Sequence, residues 1–398
     1  MAVAHSFFRH LQFPLIGTLL LISGAIAQGD ADRFNYILGV HTIGSHYQFT
    51  DETRLLETAE LILGMGSNSI KFRLGRSFSE RNYAGRHPGK YRTLTELAGH
   101  EPSIRTVFEM PFYYYFMWVG PMQPVTWNDP DGYTKKDAET EYREVYDLAS
   151  HLLKTYNGTG KSFYFGHWEG DWLLVKGFDA GMDPVPHRVE NMIKWLNNRQ
   201  QAVDDAKKEH PESDVRIYHY SEVNQVVKGV NGKPCYTTEV LPNVKVDYVS
   251  YSAYDAQKYP EYNLPKALDF IERHLPPKEG IPGKRVWIGE FGYKAKGSTP
   301  EEQKNRSLDF AKIAIEWGCP FVLYWQLYDN EFENGEYSGF WLINDQGEKQ
   351  PLYHALQAYY VSAREVVSDH LASNGIVPSD DVFRREAVSA LRRAGTND

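Results

Sequence analysis

Two glutamates stand at the ends of short apolar runs, each framed by glycine and aromatic rings. The first lies in Phe163-Tyr164-Phe165-Gly166-His167-Trp168-Glu169-Gly170-Asp171-Trp172, the second in Val286-Trp287-Ile288-Gly289-Glu290-Phe291-Gly292-Tyr293. Such surroundings disfavour charge and raise a carboxyl pKa, and acids in this setting concentrate at functional sites. Two carboxyls facing each other across an acetal can divide its cleavage. One attacks the carbon, while the other protonates the leaving oxygen and afterwards activates water. The bland alternative is a pair of glutamates solvated at a rim or salt-bridged to lysine.

Glu169 and Glu290 meet only if their runs lie on opposite sides of a closed structure, and the chain repeats a unit that closes. Short β-rich runs fall near Tyr36–His41, Ser69–Leu74, Thr106–Tyr113, Ser162–Trp168, Val215–Tyr220, Val246–Ala253, Arg285–Phe291 and Pro320–Gln326. Helix-length amphipathic segments separate them, clearest at Thr53–Leu63, Ala138–Thr155, Val189–His210, Lys266–Leu275 and Pro300–Trp317, with a last one near Leu352–Ala363. Thr50 or Asp51 is positioned to cap the first, and Ser298-Thr299-Pro300-Glu301-Glu302 puts Pro and acids in a first turn. Eight βα units over roughly 340 residues predict one (β/α)8 TIM barrel. An open doubly wound sheet fits less well, because no Gly-rich phosphate fingerprint follows the first strand. Polar residues at the C-terminal strand ends of such a barrel face the functional side, and the fourth and seventh strands stand opposite each other.

The seventh run, Trp287-Ile288-Gly289-Glu290-Phe291-Gly292, resembles the nucleophile motif of clan A glycoside hydrolases, particularly the cellulase-and-mannanase family. That resemblance implies retaining hydrolysis of a β-linked glycan, with Glu290 as nucleophile and Glu169, ending the fourth strand, as acid/base. It further implies an arginine ending the second strand near the nucleophile, matched by Arg73 in Ile70-Lys71-Phe72-Arg73-Leu74-Gly75. A tyrosine bonded to the nucleophile after the sixth strand is matched by Tyr254, and a tryptophan flooring the sugar site by Trp325 in Phe321-Val322-Leu323-Tyr324-Trp325-Gln326. The chain departs from the family at two places. Trp168 stands where Asn usually precedes the acid/base, and Ser252-Ala253-Tyr254 replaces His-x-Tyr. Both changes bear on how a sugar is held and neither removes a carboxylate, so the chain reads as a divergent member. No cofactor and no metal is implied.

Other residues compete for these roles. Glu222, ending His219-Tyr220-Ser221-Glu222, is the best rival acid/base. Glu109, expected within the third strand, is a candidate for sugar hydroxyls or a core acid, and Asp171 for tuning Glu169. Trp118, Trp127, Trp168, Trp172 and Trp325 could stack on sugar faces, although tryptophan is largely buried on average in any protein. His41, Trp168 and His219 are expected among the substrate contacts with Arg73, Tyr254 and Trp325. A metal-dependent barrel would also use histidines from strand ends, but no His-x-His lies on the first strand and no His on the sixth.

The ends and the overall charge bound the rest. Arg9 and His10 precede an apolar run closing at Ala25-Ile26-Ala27, a cleavage pattern that makes residues 1–27 a signal peptide. Gly17, Thr18, Ser23 and Gly24 interrupt that run, which argues against a membrane anchor. The expected organisation is therefore a leader at 1–27, a catalytic domain at 28–365 and a tail at 366–398 with one short helix, in a secreted, periplasmic or cell-surface protein. The long segments Gly75–Arg105 and Tyr114–Thr134 are the expected cleft walls. The full chain carries 43 basic and 52 acidic side chains, and the leader holds only Arg9 among them, so export leaves a more acidic protein. That balance argues against nucleic acid and polyanionic polysaccharide as partners; the partner that the resemblance implies is an oligo- or polysaccharide substrate. Cys235 and Cys319 could pair after export, though a core this size needs no staple. A catalytically silent glycan-binding barrel and a transglycosylase remain the alternatives.

Overall fold

Each of eight β runs pairs in parallel with the next, and the eighth returns to the first, closing a barrel. The strands are β1 Leu38–His41, β2 Ser69–Gly75, β3 Tyr114–Gly120, β4 Ser162–Gly166, β5 Arg216–Val223, β6 Tyr248–Ser252, β7 Val286–Phe291 and β8 Val322–Tyr324. This computed structural model describes residues 29, 31–78, 90–128, 130, 132–258 and 263–395, and the leader at 1–27 lies outside them. The chain is thus a (β/α)8 TIM barrel, as its repeat predicts.

One strand is displaced from its expected place. Thr106–Tyr113 is not β3: Pro102–Glu109 is a helix, with Ser103, Ile104, Val107 and Phe108 buried. Those positions repeat at helical, not strand, spacing, and Pro102 opens the first turn. The strand is the continuous aromatic run that follows. Glu109 accordingly ends a helix, more than half exposed and 3.1 Å from Arg105. The first helix, Arg54–Met65, is capped by Thr53 rather than Thr50 or Asp51. The helix Pro300–Trp317 has the expected bounds, with Thr299 and Glu302 forming a reciprocal cap.

Alternation along each strand sorts side chains between two cores. Outward residues such as Ile70, Phe72, Tyr115, Phe163, Phe165 and Ile288 meet the helical ring. Inward ones, including Phe116, Tyr164, Tyr220, Trp287, Phe321 and Leu323, fill the barrel. Branched aliphatics usually fill such interiors; here rings do. Trp287 packs at 5.1–5.7 Å from Phe116, Tyr164, Tyr220 and Phe321, each ring pair worth about 0.5–1.5 kcal/mol beyond its burial. Aromatic side chains thus fill the barrel interior as well as bordering its mouth.

The end of the chain joins the fold. Helix Pro351–Asn374 runs straight through the boundary expected at 365 and stops at the left-handed Gly375. Helix Asp380–Gly395 then packs Phe383, Val388 and Leu391 into the core. Cys235 and Cys319 are both buried and unpaired. Among the described residues no helix is long and apolar enough to cross a membrane, and no cluster of His, Cys, Asp or Glu could hold a metal ion.

Candidate active site

Strand periodicity alone would misplace Glu290. Trp287 faces the barrel interior and Ile288 the helices, so strict alternation would turn residue 289 inward and 290 outward. The pairing slips here: Tyr251 opposes Ile288, but Ser252 opposes Glu290, and the pairing with β8 slips over the same stretch. Gly289 is the extra residue of a bulge, which re-aims the side chain after it. The carbonyl of Gly289 accepts hydrogen bonds from His41 Nε2 at 2.6 Å and Lys71 Nζ at 3.1 Å. Glu290 thereby points into the cavity at the C-terminal mouth.

Glu169 reaches the same place from the turn after β4. Its backbone N–H donates to Glu222 Oε1 at 3.1 Å, and the Ser252 hydroxyl lies 2.5 Å from its Oε1. That same hydroxyl lies 3.3 Å from Glu290 Oε2. Both acids are almost wholly buried yet border one cavity of about 870 Å³.

Beneath them lies a closed charge cluster. Glu222 is fully buried, its Oε2 accepting from Lys71 Nζ at 2.9 Å and from Ser250 Oγ at 2.8 Å. Lys71 stands 4.0 Å from Glu290 Oε1 and 4.7 Å from the centre of the Trp118 ring. Burial is the main force on both cavity acids. It pushes the Glu169 carboxyl up to about 7, with the Ser252 hydroxyl opposing and Glu222 reinforcing. Burial and then the Glu222 charge likewise raise Glu290, against the pull of Lys71.

Of the expected contacts, Arg73, Trp168, Tyr254 and Trp325 line the cavity with the two glutamates. His41 and His219 do not. His41 is spent on the Gly289 carbonyl below the cavity floor, edge-on to Trp325, and burial keeps it neutral. His219 points outward to the helical ring, where it accepts from Arg199 Nε at 3.3 Å. Asp171 also turns away: its carboxylate accepts the backbone N–H groups of Asn224, Gln225 and Tyr236. Trp118 lines the cavity, whereas Trp127 stacks on Trp195 in an adjoining depression and Trp172 meets Phe178.

The residues missed by sequence are Lys71, Ser252, Trp195, Lys294 and Glu331. Lys71 carried a signal, because it is two residues from Arg73 and so shares its face. Ser252 carried one as well, standing where the resembled family has His. Nothing local marked the others, which come from a helix and from loops. Among the described residues, the walls come chiefly from the segments after β4, β7 and β8, through Leu173, Phe178, Lys294, Asn330, Glu331 and Phe340, with Val119 and Gly120 at the end of β3. Residues 79–89 of the segment expected to form a wall after β2 are outside the described set.

No protein-family model matches this chain, and no curated protein matches it in sequence. Solved structures do match in fold. A GH5_18 protein from Bifidobacterium longum subsp. infantis is 13% identical, with 89% of this chain covering 94% of that one at a TM-score of 0.54. A family 39 glycoside hydrolase from the gut symbiont Bacteroides cellulosilyticus WH2 is 15% identical, with 82% of this chain covering 64% of that one at 0.50. A variant of Bacteroides uniformis beta-glucuronidase 2 is 13% identical at 0.50, and this chain spans 34% of its length. The chain thus spans under two thirds of the family 39 enzyme and about a third of the glucuronidase. At these identities the likeness is one of fold: a barrel of the kind these glycoside hydrolases have.

Proposed function

We propose that this protein is a retaining glycoside hydrolase that cleaves a β-linked glycan through a covalent glycosyl-enzyme. One observation carries it: two buried carboxyls, from the ends of β4 and β7, converge on a single buried hydroxyl and border one aromatic-walled cavity. Because Glu169 Oε1 and Glu290 Oε2 both touch Ser252 Oγ, those oxygens are at most about 5.8 Å apart. Retaining pairs stand roughly 5–5.5 Å apart, and pairs that hold a water between them roughly 6.5–9.5 Å. The spacing supports direct attack.

The electrostatics support the division of roles. Burial raises both acids; Lys71 beside Glu290 pulls negative charge toward that side of the pair, and a carboxyl at Glu169 pushed up to about 7 holds its proton in about half the molecules at neutral pH. Glu290 then attacks the anomeric carbon while Glu169 protonates the leaving oxygen, and a water deprotonated by Glu169 releases the sugar. Glu222 is fixed by Lys71, Ser250 and the Glu169 backbone, which suits a support better than an acid/base. Trp118, Trp168 and Trp325 offer ring faces to pyranose C–H groups. We assign export to the segment 1–27.

Incubation with 2-fluoro glycosides of the common β-linked sugars should add one sugar mass to the peptide holding Glu290. Label on another carboxylate overturns the nucleophile assignment. With an activated aryl glycoside, azide should restore turnover to Glu169→Ala. Binding of β-glucan, mannan, xylan or galactan without turnover of any would make the protein a glycan-binding barrel instead.

A further inference from the structure

Ser252 ends β6, fully buried, and is paired across the bulge with Glu290. Its oxygen touches a carboxylate oxygen of each cavity acid, at 2.5 Å and 3.3 Å. A hydroxyl has one hydrogen. It can donate to one carboxylate only, and the second contact needs a hydrogen supplied by the other carboxyl. Were both acids ionised, a buried anionic oxygen would face a hydroxyl lone pair, at the cost of an unsatisfied buried charge. The arrangement is therefore complete with one proton between the two acids.

Other charged and titratable groups surround the pair. Lys71 from β2 and Glu222 from β5 neutralise each other at 2.9 Å. Tyr220 from β5, Tyr254 after β6 and Asp171 after β4 also act on the pair, and Arg73 from β2 with Lys294 and Glu331 from the loops line the same cavity. Tyr220 and Tyr254 are held protonated by burial, and Asp171 is saturated by backbone N–H groups.

We propose that Ser252 is a positioning residue whose hydroxyl follows the negative charge from one acid to the other, an inference that rests on the retaining reaction above. In the resting protein Glu169 is protonated and donates to Ser252 Oγ, while Ser252 donates to ionised Glu290. When a substrate binds, the Glu169 hydrogen turns to the leaving oxygen. Glu290 forms its bond to the anomeric carbon, the bond to the leaving oxygen breaks with its electron pair on that oxygen, and the oxygen takes the Glu169 proton. Glu290 is now a neutral ester and Glu169 a carboxylate, so the Ser252 hydrogen swings to Glu169 Oε1. In the second half water gives a proton to Glu169 and its oxygen to the sugar. The ester bond breaks, Glu290 recovers its charge, and the hydroxyl swings back.

Ser252→Ala removes the hydroxyl and Ser252→Thr keeps it. With 2-fluoroglycosyl-enzyme, Ser252→Ala should slow release of the sugar about tenfold, the effect of losing a hydrogen bond to a charged group. Both limbs of the pH–rate profile should move to higher pH, because a donor favours the ionised form of each acid. Ser252→Thr should restore both. Carboxyl ¹³C titration of the unliganded protein should show one proton held between the acids near neutral pH, and in Ser252→Ala both carboxyls should titrate at higher pH than in the parent. If parent and Ser252→Ala label equally, release at equal rates and share pH limbs, the role of Ser252 falls while the retaining reaction stands. If the parent takes no label, the reaction itself is wrong and the charge-following role falls with it.

Discussion

Glu169 carries a stability cost that its neighbours do not remove. Its pKa rises from the ordinary 4.5 to about 7 on folding, with burial as the leading cause. A carboxyl raised in this direction binds its proton more tightly in the folded state. Native stability is therefore favoured at low pH and declines as pH climbs from about 4.5 through about 7. The ionisation penalty, from the pKa displacement, is on the order of 3 kcal/mol above that window. Glu169→Gln keeps the shape and abolishes the titration. Urea unfolding should find the variant more stable than the parent at pH 8 by up to that amount, with the two matching at pH 4. A gap of equal size at both pH values would mean that Glu169 is not forced to ionise in an apolar setting. Sequence alone showed the glutamate and its apolar frame. It could not show that Ser252, eighty-odd residues further on, opposes the shift, because that contact exists only once the barrel closes.

Two strands illustrate what periodicity reveals and what it hides. The (β/α)8 order was legible because seven of the eight runs are apolar and short, and each is separated from the next by a helical pattern. The third was misplaced because Ile104, Val107 and Phe108 are β-favouring residues set at helical spacing, and spacing outweighs type. The seventh was placed correctly, but the inward aim of Glu290 was legible only through the motif. A bulge leaves no mark in hydropathy beyond an isolated glycine. A Cβ built on Gly289 would stand 1.6 Å from Ser250 Oγ and 3.1 Å from Glu222 Oε2. Gly289→Ala must push the bulge or the charge cluster aside, costing about 1–3 kcal/mol as overpacking does. The larger effect belongs to geometry, since a shift near 1 Å at a reacting group can cost about 100-fold in rate. The expected result is a folded protein whose 2-fluoro glycoside labelling is slowed by at least that factor. Labelling at the parental rate would show that the bulge does not aim Glu290.

At the scale of the whole molecule, the two ends of the barrel do different work, as C-terminal and N-terminal faces of this architecture do in general. The cavity opens among the C-terminal strand ends, and the last helix, Asp380–Gly395, packs on the helices Pro300–Trp317 and Pro351–Asn374 toward the opposite end. There Phe383 meets Phe34 edge-on at 4.7 Å, just ahead of β1. Arg384 Nη1 donates to the carbonyls of Ile315 at 3.3 Å and Cys319 at 2.8 Å, where the helix Pro300–Trp317 gives way to β8. The amphipathic pattern of Phe383, Val388 and Leu391 made this helix legible in the sequence. Its docking place was not, because the receiving surface is assembled from residues scattered between the first strand and the last. Ending the chain after Gly375 would expose the core beneath three apolar side chains, each contributing about 1.5–3 kcal/mol. For a domain of this size each kcal/mol corresponds to roughly 2 °C, so calorimetry should find the melting temperature lowered by about 10 °C. Well below that temperature, Glu290 of the shortened chain should label with a 2-fluoro glycoside at the parental rate, since nothing in the helix reaches the cavity. An unchanged melting temperature would show the helix to be an appendage, and a slowed labelling rate would show that the end of the barrel away from the cavity governs it.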